Sequence, residues 1–131
     1  MNVRCNMYDK KLAKEILVQV DESIEKIVRQ FKSIYQADDF IDTEEGQDTL
    51  DAICMRLIAI GESLKNIDKI TNREFLSLYP EIEWKRAKGL RNIITHHYFD
   101  LDAETVFSVC EIEIPKMGKT IKKIIQDIKG T

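Results

Sequence analysis

The segment GLRNIITHHYFD, residues 89–100, concentrates the residue types best suited to act on a phosphate ester. It contains both histidines of the chain, His96 and His97, which follow Arg91 by five and six residues, and Tyr98 comes next. Arginine keeps its charge and presents a planar fork that suits a phosphate. An imidazole with a pKa of about 6.5 both gives and takes protons near neutral pH. The segment therefore predicts a site that binds a phosphate or cleaves a phosphodiester.

A helix through this segment would separate the two histidines, because successive helical residues point about 100° apart. With Arg91 at zero, His96 falls at about 140° within a polar arc, whereas His97 falls at about 240° among apolar residues. His96 is therefore the candidate for proton transfer, and His97 is expected to be a half-buried residue of the core or of an interface. Asn92 lies one helical turn before His96 and could orient its ring by a hydrogen bond.

The elements that must position this segment are predicted to be helices. Apolar residues recur at steps of three and four along 12–34, 50–67 and 106–128, the pattern of amphipathic helices. A shorter helix is predicted over 84–97, after a loop that contains Pro80. The apolar phase continues through Pro115, so we expect a kinked helix or two nearly collinear ones. The sequence thus predicts an all-α fold, an antiparallel bundle of four to five helices forming one domain over 1–131.

Two features, one within the predicted second helix and one in the segment before it, can be explained only by the tertiary structure. Gly61 lies in the middle of that helix and costs about 1 kcal/mol relative to alanine. This cost is acceptable if another backbone packs against the glycine, which is our hypothesis. The segment ADDFIDTEEG, residues 37–46, interrupts the apolar pattern and is predicted to be a short connection.

The composition limits the possible classes of function. A net charge of -3 over 131 residues argues against a general nucleic-acid-coating protein but allows a local basic site. Cys54 and Cys110 fall within apolar helical patterns, so with Cys5 they are expected to be free thiols in a reducing compartment. Adjacent histidines point to different faces of a helix, so no metal site and no cofactor are predicted. The N-terminus resembles no signal peptide and no apolar run spans a membrane, so we expect a cytoplasmic protein.

The stretch RNIITHHY resembles the R-x4-H-x-Y motif of HepT-like proteins, with Arg91, His96 and Tyr98 in its three fixed positions. These proteins are small members of the HEPN (higher eukaryote and prokaryote nucleotide-binding) superfamily. The resemblance extends to DAICMRLIAIGESLKNI, to YPEIEWKRAKGLRN and to the helix that contains IPKM. It therefore covers nearly the whole chain.

The resemblance implies a metal-independent endoribonuclease that is the toxin of a type VII toxin–antitoxin pair. It also implies the HEPN helical bundle and a homodimer, in which two copies of the motif face one cleft. His96 would take the 2′-hydroxyl proton of RNA or protonate the leaving oxygen, Arg91 would stabilise charge on the phosphorane, and Asn92 would support His96. The expected partner is a minimal nucleotidyltransferase antitoxin that transfers AMP onto Tyr98.

Residues around the motif allow alternatives. Lys85 and Lys88 fall at about 120° and 60° on the same polar arc, so we expect them to contact the RNA backbone, although they also fit a solvated helix face. Arg86, at about 220°, does not share that arc. Glu62 either hydrogen-bonds Arg91 in the cleft or is an ordinary surface acid, and the sequence leaves both open.

Two other classes of protein fit the same residues. The first is a non-catalytic partner of a nucleotidyltransferase, in which Arg91 and His96 grip a nucleotide phosphate without cutting anything. The second is a plain helical dimerisation protein, in which substitutions in the motif change stability alone. Expression of the chain in cells that lack the partner distinguishes these classes. Growth arrest that requires both Arg91 and His96 would favour the nuclease over either alternative.

Overall fold

The computed structural model describes residues 7–96 and 102–129, except for the side chains of residues 7–9, 93 and 96. Five α-helices occupy that part of the chain: α1 (Met7–Phe31), α2 (Glu44–Ile70), α3 (Trp84–His96), α4 (Ala103–Ser108) and α5 (Ile114–Lys129). Two 3-10 helices, Ala37–Phe40 and Leu76–Leu78, lie in the connections. Over the same residues there is no β-strand, which confirms the predicted all-α fold. None of the described helices is long and apolar enough to cross a bilayer.

The four longer helices pack in the order α5, α1, α2, α3, so that α3 lies at one side of the bundle. Two ion pairs give the direction of α3 against α2. Asp68, near the end of α2, pairs with Lys88, whereas Glu62, earlier in α2, pairs with Arg91 further along α3. The two helices are therefore antiparallel, as predicted for neighbours joined by a short connection.

The predicted amphipathic stripes form one continuous core. Cys54 and Cys110 are buried free thiols within it, as expected, and burial raises the pKa of the first to about 11 and of the second to about 12. Cys5 lies outside the described residues. The fully buried side chains of the three long helices are Leu17, Val20, Ile27, Ile53, Leu57, Leu64, Ile67, Ile114, Ile121 and Ile124.

The helical path continues through Pro115, in agreement with the sequence prediction. A π-helical turn, Val109–Glu113, joins α4 directly to α5. Proline cannot donate a backbone hydrogen bond, and the wider turn comes immediately before it. Asp102 caps the start of α4 by accepting a hydrogen bond from the backbone N–H of Glu104 at 3.0 Å.

The segment 37–46 is more than the simple connection that the sequence predicted. Phe40 is fully buried, and its ring centroid lies 6.3 Å from that of Phe31. Thr43 then caps α2, since its hydroxyl oxygen accepts from the backbone N–H of Gly46 at 2.9 Å. A single apolar residue in a polar stretch has no periodic pattern to reveal it, so this part of the core escaped the sequence analysis.

Candidate active site

The start of α3 is anchored by aromatic residues. Trp84 is buried, and its indole N–H donates to the backbone carbonyl of Tyr79 at 2.9 Å. The Tyr79 hydroxyl in turn donates to the carboxylate of Asp127 in α5 at 2.7 Å. Burial, together with this carboxylate, raises the pKa of Tyr79 to about 12, so the hydroxyl keeps its proton. Leu90 and Ile94 point into the core, which turns the opposite face of α3 outward.

The backbone of α3 lies against Gly61 of α2, as hypothesised from the sequence. A Cβ placed on this glycine would lie 3.3 Å from the Cβ of Arg91 and 3.4 Å from the carbonyl oxygens of Ala87 and Lys88. The glycine is fully enclosed by these neighbours. The missing side chain therefore sets the distance between α2 and the part of α3 that carries Arg91.

We predict that side chains larger than alanine at position 61 displace Arg91. Gly61→Ala requires shifts of a few tenths of an ångström, and its gain in helix propensity of about 1 kcal/mol offsets them. Gly61→Val places γ-methyl groups against backbone, and we expect it to lower the free energy of unfolding by about 1–3 kcal/mol. Urea unfolding of the two variants measures the difference. Equal stability of the valine and alanine variants would contradict the close approach.

Arg91 is held by two neighbouring side chains. Its Nε lies 3.2 Å from the Oε2 of Glu62, and its Nη1 donates to the Oδ1 of Asn92 at 3.2 Å. The first contact is an ion pair by distance without the geometry of a hydrogen bond. The buried Nε thus has no hydrogen-bond acceptor among the described residues. The Arg91 side chain as a whole is 38% exposed, so part of it is open to solvent. Of the two alternatives for Glu62, the structure supports the contact with arginine.

Asn92 contacts Arg91, an interaction that the sequence did not predict. Its carbonyl oxygen accepts from Arg91, so the residue helps to hold the guanidinium. The predicted orientation of His96 by Asn92 involves a side chain outside the described set, as only the backbone of His96 is placed, at the last position of α3. His97 and Tyr98 lie outside the described residues altogether.

An open groove of about 1020 Å³ runs between the second half of α2 and α3. Its lining carries five cationic and two acidic side chains, hence a net charge of +3, whereas the whole chain carries -3. Asn92 and Glu62 stand at the end nearest Arg91. The lining residues are Glu62, Lys65, Asn66, Asp68, Lys69, Asn72, Arg73, Lys85, Lys88, Gly89 and Asn92.

The helical wheel placed the basic residues of α3 correctly. Lys85 and Lys88 both line the groove, whereas Arg86 points to another face and pairs with Glu113 at 3.0 Å. Lys88, however, forms an ion pair with Asp68, which leaves Lys85 as the exposed lysine of α3 in the groove. The sequence of α3 alone could not show that Asp68 of α2 pairs with Lys88.

The groove also contains cations that the sequence analysis missed. Lys65 and Lys69 come from α2, and Arg73 comes from the turn that follows. Their signal was present, since Glu62, Lys65 and Lys69 share one face of α2 at steps of three and four. Only the packing of α2 on α3 brings that face beside the motif. Within residues 7–96 and 102–129, no three His, Cys, Asp or Glu side chains lie close enough to hold a metal ion.

Comparison with known proteins identifies the family. The model of the family described as "Ribonuclease HepT-like" matches residues 24–124, and so covers the helices that form the groove. The chain belongs to the HepT-like family. The family resemblance inferred from the sequence is thereby confirmed.

Several proteins named as ribonucleases are similar to this chain. "Putative RNase MJ0127" of Methanocaldococcus jannaschii is 30% identical over 121 residues, which are 92% of this chain and 93% of that protein. "Putative RNase MJ1216" of the same organism is 38% identical over 79 residues, and the match spans 62% of its length. "Probable ribonuclease HepT" of Thermococcus cleftensis is 28% identical over 115 residues, or 97% of its length. No solved structure matches the chain significantly.

Proposed function

We propose that this chain is an endoribonuclease that cleaves RNA without a metal ion. The observation that carries the proposal is that Arg91 contacts Glu62 and Asn92, two lining residues of a groove whose net charge is +3 in an acidic chain. A cationic groove concentrates a polyanionic substrate, and a guanidinium at its end can hold one phosphate for reaction. Membership of the ribonuclease HepT-like family and the names of the relatives support the same activity.

The proposed reaction uses the 2′-hydroxyl of RNA as the nucleophile. The imidazole of His96 takes the proton as the 2′-oxygen attacks phosphorus, and the bond from phosphorus to the 5′-oxygen breaks. The leaving 5′-oxygen takes a proton from an imidazolium. The guanidinium of Arg91 stabilises the added charge on the phosphorane oxygens, while Glu62 and Asn92 hold the guanidinium in place. The products are a 2′,3′-cyclic phosphate and a 5′-hydroxyl.

We propose that the active unit is a homodimer. The motif of one chain supplies one arginine, Arg91, and one candidate histidine, His96. A reaction that both removes and donates a proton is better served by two imidazoles. Two copies of α3 facing one cleft would provide two guanidinium groups to hold the phosphate. One imidazole would act as base and the other as acid.

The nuclease proposal is tested by the products formed without divalent metal. Purified protein in EDTA should cut single-stranded RNA, leave 2′,3′-cyclic phosphate ends that mass spectrometry detects, and spare DNA of the same sequence. DNA lacks the attacking hydroxyl, which makes it a matched control. Tight binding of RNA with no cleavage in any buffer would instead support the alternative, a non-catalytic phosphate-binding partner of a nucleotidyltransferase.

We also propose that the chain is the toxin of a toxin–antitoxin pair and that Tyr98 is the site of its neutralisation. A minimal nucleotidyltransferase would transfer AMP from ATP to the phenolic oxygen of Tyr98 and release pyrophosphate. Tyr98 belongs to the same motif as Arg91 and His96, so the added phosphate would bring negative charge and bulk to the motif and would oppose binding of RNA.

Co-expression with the neighbouring nucleotidyltransferase should add the mass of one or more adenylyl groups to the intact chain. Cleavage of RNA should fall in proportion to the modified fraction. Tyr98→Phe is the matched control, because it keeps the ring and removes the acceptor oxygen. Mass addition to the phenylalanine variant at the same level would show that another residue accepts AMP.

A further inference from the structure

Four cations of the groove lie outside the motif and have no counter-ion among the residues that the structure describes. Lys65, Lys69, Arg73 and Lys85 all line it, and among the described residues none of the four forms an ion pair. The two acids of the lining are already engaged, since Asp68 pairs with Lys88 and Glu62 with Arg91. The remaining charge of the groove is thus uncompensated.

The lining residues of the groove form two facing rows. Along α2 the lining residues Glu62, Lys65 and Lys69 follow steps of three and four, and along α3 Lys85, Lys88 and Asn92 do the same. Because the helices are antiparallel, Lys69 lies toward the Lys85 end and Glu62 toward the Asn92 end. Uncompensated charge therefore increases with distance from Arg91.

Arg73 extends the α2 row beyond the end of the helix. Its backbone φ is 63°, and that of Asn72 is 55°, so two successive non-glycine residues adopt the left-handed region. This conformation costs about 1–2 kcal/mol for a residue with a Cβ, and glycine would avoid it. The arginine is nevertheless exposed at the wall of the groove. Its backbone N–H donates to the carbonyl oxygen of Asp68 at 2.7 Å, a contact that closes the end of α2 and accounts for the left-handed backbone.

From this arrangement we infer that Lys65, Lys69 and Arg73 form a binding track for the RNA strand on one side of the scissile phosphate. The inference rests on the proposed ribonuclease function and assigns the direction in which the substrate leaves the site. Contacts to successive phosphates carry no base specificity, so the track should bind any single-stranded sequence. It should bind in a strongly salt-dependent way.

The test compares two variants that lose the same charge. The track variant carries Lys65→Gln, Lys69→Gln and Arg73→Gln, and the control variant carries Lys26→Gln, Lys32→Gln and Lys119→Gln. All six side chains are exposed, and the control residues lie outside the groove lining. Circular dichroism and Tm should show both variants folded like the parent.

Binding of fluorescein-labelled oligo(A) RNA is measured in a His96→Ala background over a range of salt concentrations. Each phosphate contact contributes about -0.7 to the slope of log K against log salt for a single strand, so the track variant should lose about two units of slope. Its Kd should rise about 10- to 100-fold at constant salt. The control variant should keep the slope of the parent. Equal slopes in the two variants would overturn the track.

Cleavage distinguishes failure of the track from failure of the nuclease proposal. With His96 intact, the track variant should raise the KM for a long RNA about 10-fold or more at nearly unchanged kcat, and should cleave a dinucleoside monophosphate like the parent. If the parent cleaves RNA and the track variant has the same KM as the parent, the track is refuted and the nuclease proposal stands. If the track variant binds RNA more weakly than the parent but the parent does not cleave RNA, the nuclease proposal is refuted and the track stands. Absence of both binding and cleavage refutes the two together.

Discussion

His96→Ala is expected to lower the kcat for RNA cleavage by about 10²- to 10⁴-fold, the usual contribution of a general acid or base. Arg91→Ala should cost about 10²- to 10³-fold, because it removes the donors that stabilise the phosphorane. Because the contacts of Arg91 with Glu62 and Asn92 are partly exposed and contribute little stability, its loss should act mainly on kcat rather than on folding. Single-turnover cleavage of labelled RNA measures both effects.

Two variants serve as controls for that result. Arg91→Lys keeps the charge but loses the planar fork, and it should recover only a small part of the cleavage rate. His97→Ala removes the histidine predicted to lie on the apolar side of α3, and its folded fraction should cleave RNA like the parent. If loss of His97 abolished cleavage while loss of His96 did not, the assignment from the helical wheel would be reversed.

Gly46→Ala is expected to be among the most destabilising single substitutions in the chain. A Cβ at this position would lie 1.8 Å from the carbonyl oxygen of Asp39, which is backbone and cannot rotate away. The 3-10 helix Ala37–Phe40 would have to move and would draw the buried Phe40 from the core. We expect a loss of about 3 kcal/mol or more, and a fall in Tm of about 10 °C.

Gly89→Ala is the matched control, since it makes the same chemical change within a helix. A Cβ at Gly89 meets no atom within 4 Å, so the gain in helix propensity should raise the free energy of unfolding by about 0.5–1 kcal/mol. Thermal and urea unfolding of the two variants should therefore move in opposite directions. Destabilisation of similar size in both would attribute the effect to glycine itself rather than to the contact with Asp39.

Much of the local architecture could be predicted because helical phase is a property of neighbouring residues. The apolar stripes indicated the faces that form the core, and the 100° step placed Lys85 and Lys88 together and Arg86 apart. Gly61 was also informative, since a glycine inside a stable helix suggests a close neighbour. That neighbour proved to be the backbone of α3 beside Arg91.

Other features depend on residues that are distant in the sequence. Phe40 gave no periodic signal, and the clash that keeps Gly46 a glycine arises from the carbonyl of Asp39. The sequence allowed Glu62 to be either a partner of Arg91 or an ordinary surface acid. Its distance to Arg91 in the structure favours the first alternative. The pairing of Lys88 with Asp68 likewise changes which lysine is free to bind phosphate.

The sequence by itself determined the helical class, the family resemblance and the residues that share the outer face of α3. Only the tertiary structure decided that α2 contributes to the candidate site, by setting Glu62 against the guanidinium of Arg91 and adding Lys65, Lys69 and Arg73 to the groove. The physical reason is one of range. Helical geometry fixes the direction of a side chain within its own helix. The charged groups of another helix that come to lie opposite it depend on how the two helices pack.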